Sequence, residues 1–522
     1  MTMNPDQPVV DCLAIRDGVI LESGFYPTLK NQFPIETPVV MLQGKCVLPG
    51  FNDAHVHTWK VGHLRTTLLD VRGVFSLDEL LDKLSHVAST LPPGCWLQAR
   101  GYNEANFPKA VHPTYEDLDR AVPDRPVWLI RTCAHIAVAN TKALERARIS
   151  KHTKPPPGGA IGVLASGELS GVFHETALGL VQEAIPAPTV HDYAEMIRSG
   201  QQAQLACGIT SATDPAVTPQ LIDAYRYLDA RGELLNRHNL LAIRRPDGGT
   251  AEFPLPEVYD SPMLRINGVK AFADGGLSGA TAALKVEYRH AKTQGILRFE
   301  TEELFRLLLP AHRAGLRIGV HAIGDEAIDQ LLTVYEKLYA DSPGLQHRVE
   351  HFGLPSESML ARASALQLHA IPQATFVREL GVNFRAYLPD DYWNRPYPLG
   401  SMLKAGINVA LSSDAPVVRD FHPLGAIQTA VTRQDSTGKA VAPSESISLQ
   451  QALHAYTVAG AYASGDEACR GMLRAGMVAD FIVVDSLVND ASIPQLHSAR
   501  VQQTYLAGNC VFDSTSQTTF TR

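Results

Sequence analysis

The chain has 522 residues, 45% hydrophobic and 19% charged, enough apolar material for a large core and too much length for one small domain. Its net charge of −8 is spread over both signs with no basic stripe or tail, which argues against nucleic acid as a partner. The seven cysteines (Cys12, Cys46, Cys95, Cys133, Cys207, Cys469, Cys510) are odd in number, scattered and free of CxxC, which argues against a disulfide framework or a cysteine zinc site.

The opening residues, MTMNPDQPVVDC, hold neither a basic region nor a long apolar one, and no run approaches ~18 uninterrupted apolar residues. Neither a signal peptide nor a membrane span is expected, and the expected location is the cytoplasm. Residues 9–48 alternate short apolar runs, CLAIRDGVILESG and PVVMLQGKCVLPG, with turn signals such as Asp17-Gly18. From there an α/β rhythm begins. Eight strand-like runs recur: VLPGFNDAHVH (47–57), GITSATD (208–214), RHNLLAI (237–243), INGVKAFAD (266–274), RIGVHAIGD (317–325), RVEHFGL (348–354), LQLHAIPQAT (366–375) and INVALSSDAP (407–416). Several are rich in β-branched residues, as buried parallel strands should be. Helical spacing separates them. In DEAIDQLLTVYEKLY, Ile328, Leu331, Leu332 and Tyr335 form one stripe, with Asp325 as candidate N-cap.

Eight such units predict an α/β fold, a (β/α)8 TIM barrel over 49–467. A gap of about 150 residues after the first strand is far more than a barrel helix needs. Residues 60–195, with the strand-like run 126–140 and the Pro/Gly-rich stretch 154–163, are therefore expected to form an inserted subdomain near the barrel mouth. Residues 477–513 again show short β runs, turning at Ala507-Gly508-Asn509. Two β segments at opposite ends can each bury a face only against a partner, so 1–48 and 468–522 are expected to form one composite β-sandwich domain.

The chemistry gathers at strand ends. His55-Val56-His57 ends the first strand, and residues i and i+2 point to one side. His321 ends the GVHAIGD strand, His351 the VEHFGL strand and Asp414 the LSSDAP strand. Each alone would read as a core histidine or a turn aspartate. Five residues of metal-ligand type at four strand ends, where barrel enzymes build their sites, point instead to a metal centre. Four histidines and a carboxylate suit Zn²⁺ or a similar divalent ion. Trp59 follows the HxH pair closely and is expected to line the pocket. His135 and the His174-Glu175 pair in the insert are further candidates for the mouth. The stretch from Phe376 to Trp393 reads as a long aromatic loop that could wall a substrate pocket.

LPGFNDAHVH, GVKAFADGGLSGATAAL, HAIGDEAID, RVEHFGL and LSSDAPV together resemble the signature segments of the amidohydrolase superfamily, and of its amidohydrolase-3 branch, which includes N-substituted formamide deformylases. RTCAHIAVANTKAL in the insert and GMLRAGMVADFIVVD with TYLAGNCVF at the end match too, so the resemblance covers nearly the whole chain. It implies a hydrolase with one or two metal ions, acting on C–N bonds of amides, formamides or related carbonyl compounds. By position, His55 and His57 would bind the more buried metal, His321 and His351 the second, and Asp414 the first metal and the attacking water. Lys270 in INGVKAF matches a bridging lysine: neutral beside a cation, it can add CO2 to give a carbamate. The plain alternative is an interior lysine paired with an acid such as Asp274. The implied mechanism is attack by metal-bound hydroxide, since a metal lowers the pKa of water from about 16 toward ~7. Asp414 would serve as general base and then general acid.

No GxSxG elbow, Walker loop or GxGxxG after a strand supports a rival cofactor. The ligand set describes the hydroxide and not the substrate. An isomerase, decarboxylase or ester hydrolase on the same barrel is the alternative, and a non-catalytic binding protein a more distant one. The expected partner is a small-molecule substrate, with no nucleic acid or membrane; assembly as a homo-oligomer is left open.

Overall fold

The structure is a computed structural model that describes residues 1–132, 136–156, 158–246, 249–342 and 345–515. The chain divides into two compact units, Met1–Thr58 with Gln201–Arg522, and Trp59–Gly200.

In the first unit eight parallel strands lie side by side in chain order: β1 Phe51–Asp53, β2 Ile209–Val217, β3 Arg237–Ile243, β4 Leu264–Phe272, β5 Arg317–Ala322, β6 Arg348–His351, β7 His369–Ile371 and β8 Asn408–Val409. All eight fall inside or across the runs marked in the sequence. Every residue of β1, β3, β6 and β7 is buried, as expected of strands covered on both faces. Beyond the ends of β1 and β8 the backbone continues to pair. Ala54 N–H donates to Leu411 O at 3.3 Å, Asp414 N–H to His55 O at 2.8 Å and His57 N–H to Ala415 O at 2.9 Å. These bonds join the first strand segment to the last, so the sheet curls until its two ends meet.

The helix Asp325–Asp341 carries the expected stripe: Ile328, Leu331, Leu332 and Tyr335 are fully buried. The expected cap is corrected. Gly324 occupies the N-cap position and Asp325 is the first helical residue. The Asp325 carboxylate is engaged elsewhere, accepting from Lys285 N–H at 3.0 Å and Tyr392 O–H at 2.6 Å. The stretch expected as a loop is also corrected: Ala374–Tyr387 is a helix. Phe376, Val377, Gly381 and Phe384 repeat at helical spacing on its buried side, and no proline intervenes before Pro389.

The chain ends meet in an antiparallel sheet of Cys46–Pro49, Phe481–Val484, Val501–Leu506 and Asn509–Asp513. The hairpin Cys12–Arg16 with Val19–Gly24 turns through Asp17 (φ 51°) and Gly18 (φ 79°), the left-handed pair that a two-residue hairpin requires. Its Ile20 packs with Leu473, Met477, Ala479, Phe481 and Val483.

The second unit is built on one six-stranded sheet. Leu68–Asp70, Leu97–Tyr102 and Val127–Arg131 run parallel; Ile136–Ala139, Leu169–Glu175 and Gly159–Val163 follow antiparallel. The helix Leu77–Thr90 lays Leu80, Leu81 and Leu84 on the sheet and starts at Ser76, whose hydroxyl accepts from Glu79 N–H. Trp128, Phe173 and Val181 belong to a second apolar cluster of this unit. Among the described residues no helix is long and apolar enough to cross a membrane.

Candidate metal centre

The site forms where the end of β1 passes the end of β8. Asp53, fully buried, ties them: its Oδ1 accepts from His55 N–H at 3.2 Å and Ser413 N–H at 3.1 Å. Burial pushes its carboxyl up to about 6 against those hydrogen bonds. The His55 and His57 rings then stand 5.5 Å apart, nearly perpendicular. Their Nε2 atoms converge on one oxygen, Asp414 Oδ1, at 3.4 Å and 3.3 Å. One donor atom from each of His55, His57 and Asp414 lies within 4.8 Å of the others.

His351 and His321 continue the cluster. The His351 ring is 4.9 Å from that of His55 and 4.3 Å from that of His321, and its Nδ1 is 3.9 Å from Asp414 Oδ2. His321 Nε2 lies 3.0 Å from the Gly275 carbonyl and 3.3 Å from Asp274 Oδ1. Asp414 and His351 both sit at positive φ, 54° and 70°. Such strain, of order 1–3 kcal/mol for a non-glycine residue, concentrates where function over-determines the backbone.

Lys270 is 1% exposed, its ammonium 4.9 Å from the Phe272 ring centroid, and its charge acts on His55, Glu350 and His351. Asp274, considered as its partner, accepts backbone N–H bonds from Ala283, Ile323 and Gly324 at 2.8–3.1 Å. The Phe376 ring stacks on His351 at 6.4 Å and 11°. Trp393 is 37% exposed; its ring lies 5.6 Å from the Arg289 guanidinium and its Nε1 donates to Leu388 O at 3.4 Å. Trp59 falls in the other unit, edge-on to Tyr193 at 5.6 Å. His174 of that unit lies 6.5 Å from His112, ring to ring. His135 lies outside the described residues.

Sequence reasoning passed over several buried polar residues that hold the cluster. Glu350 accepts from His55 Nδ1 at 2.5 Å and from Arg348 Nε at 2.7 Å. Gln373 Oε1 is 2.8 Å from His351 Nδ1. Asp214 Oδ1 lies 3.8 Å from His57 Nδ1, and its other oxygen accepts from Tyr225 O–H at 2.7 Å. The signal was present in RVEH: charged residues inside a strand whose neighbours are all buried need partners.

Burial opposes charge throughout this cluster; at Asp414, Glu350 and His55 the charged neighbours outweigh it, and at His351 burial prevails. Burial would push the Asp414 carboxyl up; His55 and the hydrogen bonds from His55 and His57 outweigh it and hold the group well below the carboxylate range. Burial likewise raises Glu350, but the Arg348 guanidinium and His55 hold it well down. For His55, burial and Lys270 act against protonation, while Asp414 and Glu350 overcome them and raise it. His351, buried beside His321, is lowered well below the ordinary histidine range. The donor set fits a borderline divalent cation: two imidazole nitrogens and one ionised carboxylate oxygen share a focus, and His55 is held at its other nitrogen by a carboxylate.

The sequence profile described as the amidohydrolase family matches residues 39–512. The Bacillus subtilis protein YtcJ is 30% identical over 98% of both chains. The N-substituted formamide deformylase of Arthrobacter pascens is 27% identical over 98% of this chain and 97% of its own. The crystal structure of an uncharacterized metal-dependent hydrolase from Pyrococcus horikoshii superposes with a TM-score of 0.79 at 27% identity, covering 93% of this chain and 95% of that one. With a profile match across nearly its whole length and a relative at 30% identity end to end, this chain belongs to the amidohydrolase family.

Proposed function

We propose that this chain hydrolyses a C–N bond in an amide, formamide or related small carbonyl compound at a centre of one or two divalent cations, zinc foremost. The observation that carries the reading is the convergence of His55 Nε2 and His57 Nε2 on Asp414 Oδ1, at 3.4 and 3.3 Å. His55, His57 and Asp414 would hold one cation, and His321 and His351 a second. Lys270, buried at the same centre, would serve both as its carbamate. The deformylase likeness favours the C–N bond. When bound, the cation supplies a water acidic enough to react at neutral pH and an electrophile for the substrate carbonyl.

The remaining chemistry belongs to the chain. Asp414, whose Oδ1 meets the Nε2 atoms of His55 and His57, would accept the proton of the attacking water. It then gives that proton to the leaving nitrogen, without which an amine would not depart. Phe376, stacked on His351, supplies an apolar wall. In the same reading 49–467 is a (β/α)8 barrel, supported by the hydrogen bonds between the ends of β1 and β8. Residues 60–195 are its insert. Residues 1–48 and 468–522 are one β-sandwich domain, supported by the strand pairing of Cys46–Pro49 with Phe481–Val484.

The test is a panel of N-substituted formamides, aryl amides, carbamates and matched esters with the metal-reconstituted protein, scored for amine, alcohol and CO2. Metal-dependent amine release supports the reading. Alcohol or CO2 release with no amine from any amide or formamide overturns it.

A further inference from the structure

Arg348 and Glu350 are fully buried and two residues apart on β6, so they share one side of the strand. A buried ion pair is weak evidence of stability, because apolar residues of the same volume often do as well. This pair is aimed. Arg348 grips Glu350 with Nε on Oε1 at 2.7 Å and Nη2 on Oε2 at 3.1 Å. Nη2 also donates to the Ala54 carbonyl at 2.6 Å, and Nη1 reaches Thr213 Oγ1 at 3.5 Å. Glu350 Oε2 in turn accepts from His55 Nδ1 at 2.5 Å. Both members therefore end on consecutive residues of the segment that follows β1. The neighbouring strand leaves room for them: a Cβ at Gly319 would stand 2.6 Å from Glu350 Oε1.

A carboxylate on Nδ1 fixes the imidazole proton there. When a cation takes the place of the Nε2 proton, this leaves Nε2 as the bare nitrogen, orients the ring and makes Nε2 a stronger donor. In this structure that Nε2 faces Asp414 Oδ1. We propose that Glu350, oriented by Arg348 and housed in the space at Gly319, is the positioning residue that makes His55 a metal ligand through Nε2. The proposal rests on the metal-centre reading above and adds a requirement to it.

Glu350→Gln keeps the shape but presents an NH2 either to Arg348 or to His55, so it cannot accept from both. It also leaves Arg348 buried without its counter-charge, which by itself could unfold the protein. The double variant Arg348→Met/Glu350→Met removes the lone charge and also leaves His55 Nδ1 without its acceptor, and so separates the two effects. Zn²⁺ affinity is measured by chelator competition, the ligand field by Co²⁺ absorption, and folding by thermal melts of metal-stripped protein. The expected result is Zn²⁺ binding about 10–100-fold weaker in Glu350→Gln, with an altered Co²⁺ spectrum. In the double variant stability returns while affinity stays low. Zn²⁺ affinity within about twofold of wild type in the double variant would make Glu350 a mere counter-charge and overturn the proposal. His55→Ala is the control: if it too binds Zn²⁺ like wild type, the metal-centre reading falls.

Discussion

Gln373 Oε1 and His351 Nδ1 share a hydrogen bond of 2.8 Å, and the rest of the amide decides which way it runs. Gln373 Nε2 donates to Ile371 O at 2.9 Å and to Ser412 Oγ at 2.9 Å, and the Ser412 hydroxyl donates onward to Pro372 O. The amide oxygen is therefore the acceptor, and His351 carries its proton on Nδ1. His55 and His351 thus present the same nitrogen by different means, a carboxylate for one and a neutral amide for the other. Gln373→Met keeps the volume and removes the acceptor. Zn²⁺ affinity should fall by ~10-fold, the low end for losing an outer partner of a ligand histidine. Unchanged affinity by chelator competition would show that the amide does not orient the ring.

Asp414→Asn separates proton transfer from metal holding. The change keeps size and removes the charge and the base. If Asp414 shuttles the proton, kcat should drop at least ~100-fold, while metal content falls far less because the histidines and Lys270 remain. His55→Ala should instead lose metal and activity together. Elemental analysis beside steady-state kinetics gives both ratios. Normal turnover by Asp414→Asn at full metal occupancy would move the base to another residue.

Lys270 gives a prediction of its own. A buried ammonium has no lone pair for a cation, whereas its carbamate is an anionic ligand. Metal uptake by the stripped protein should therefore rise when bicarbonate is supplied, and intact-protein mass should gain one CO2 per chain under non-acidic conditions. Lys270→Ala should abolish both responses. Equal uptake with and without bicarbonate in the wild type would leave Lys270 as a plain interior lysine.

The parts legible in the sequence are those set by local pattern. The apolar runs at β3 and β5 and the Ile328, Leu331, Leu332, Tyr335 stripe need only their own neighbours to be read. His55, His57, His321, His351 and Asp414 could be found because each ends such a run. Glu350 and Arg348 could not be given partners in that way. The atoms that Arg348 reaches belong to Ala54 and Thr213, 294 and 135 positions away, and become neighbours only when the sheet curls. The helix Ala374–Tyr387 is hidden in the sequence for a related reason. Its arginines, glutamate and aromatics suggest a polar loop until Phe376, Val377 and Phe384 are seen to share the side that joins Tyr392 and Tyr397 in one cluster. Asp325 had the right residue type and nearly the right position for a cap, but Tyr392, 67 residues on, claims its carboxylate.

Away from the metal ligands, buried His347 contributes to the response to acid. His347 is fully buried, and its Nδ1 accepts from Ile318 N–H at 3.2 Å, so its proton sits on Nε2. That proton points at His312 Nδ1, 2.9 Å away, and His312 Nε2–H donates to the Ser342 carbonyl at 2.7 Å. Both rings are neutral in this chain of bonds, and there is no acceptor for another proton. Burial, with His312 and Arg317 nearby, lowers His347 to about 3. In the unfolded chain the same group takes its proton near ~6.5. Between those values the unfolded state binds more protons, so stability is full above ~6.5 and is lost as pH falls toward 3, at up to about 1.4 kcal/mol per pH unit. His347→Asn keeps an acceptor for Ile318 but removes the titrating ring. It should be less stable than wild type at pH 8, because His312 loses its donor, and its stability should fall less steeply from pH 6.5 to 4. Chemical denaturation at several pH values reads the two slopes, and other titrating groups cancel in the difference. Parallel profiles for wild type and variant would show that His347 accepts its proton as easily folded as unfolded, and the neutral chain would be wrong.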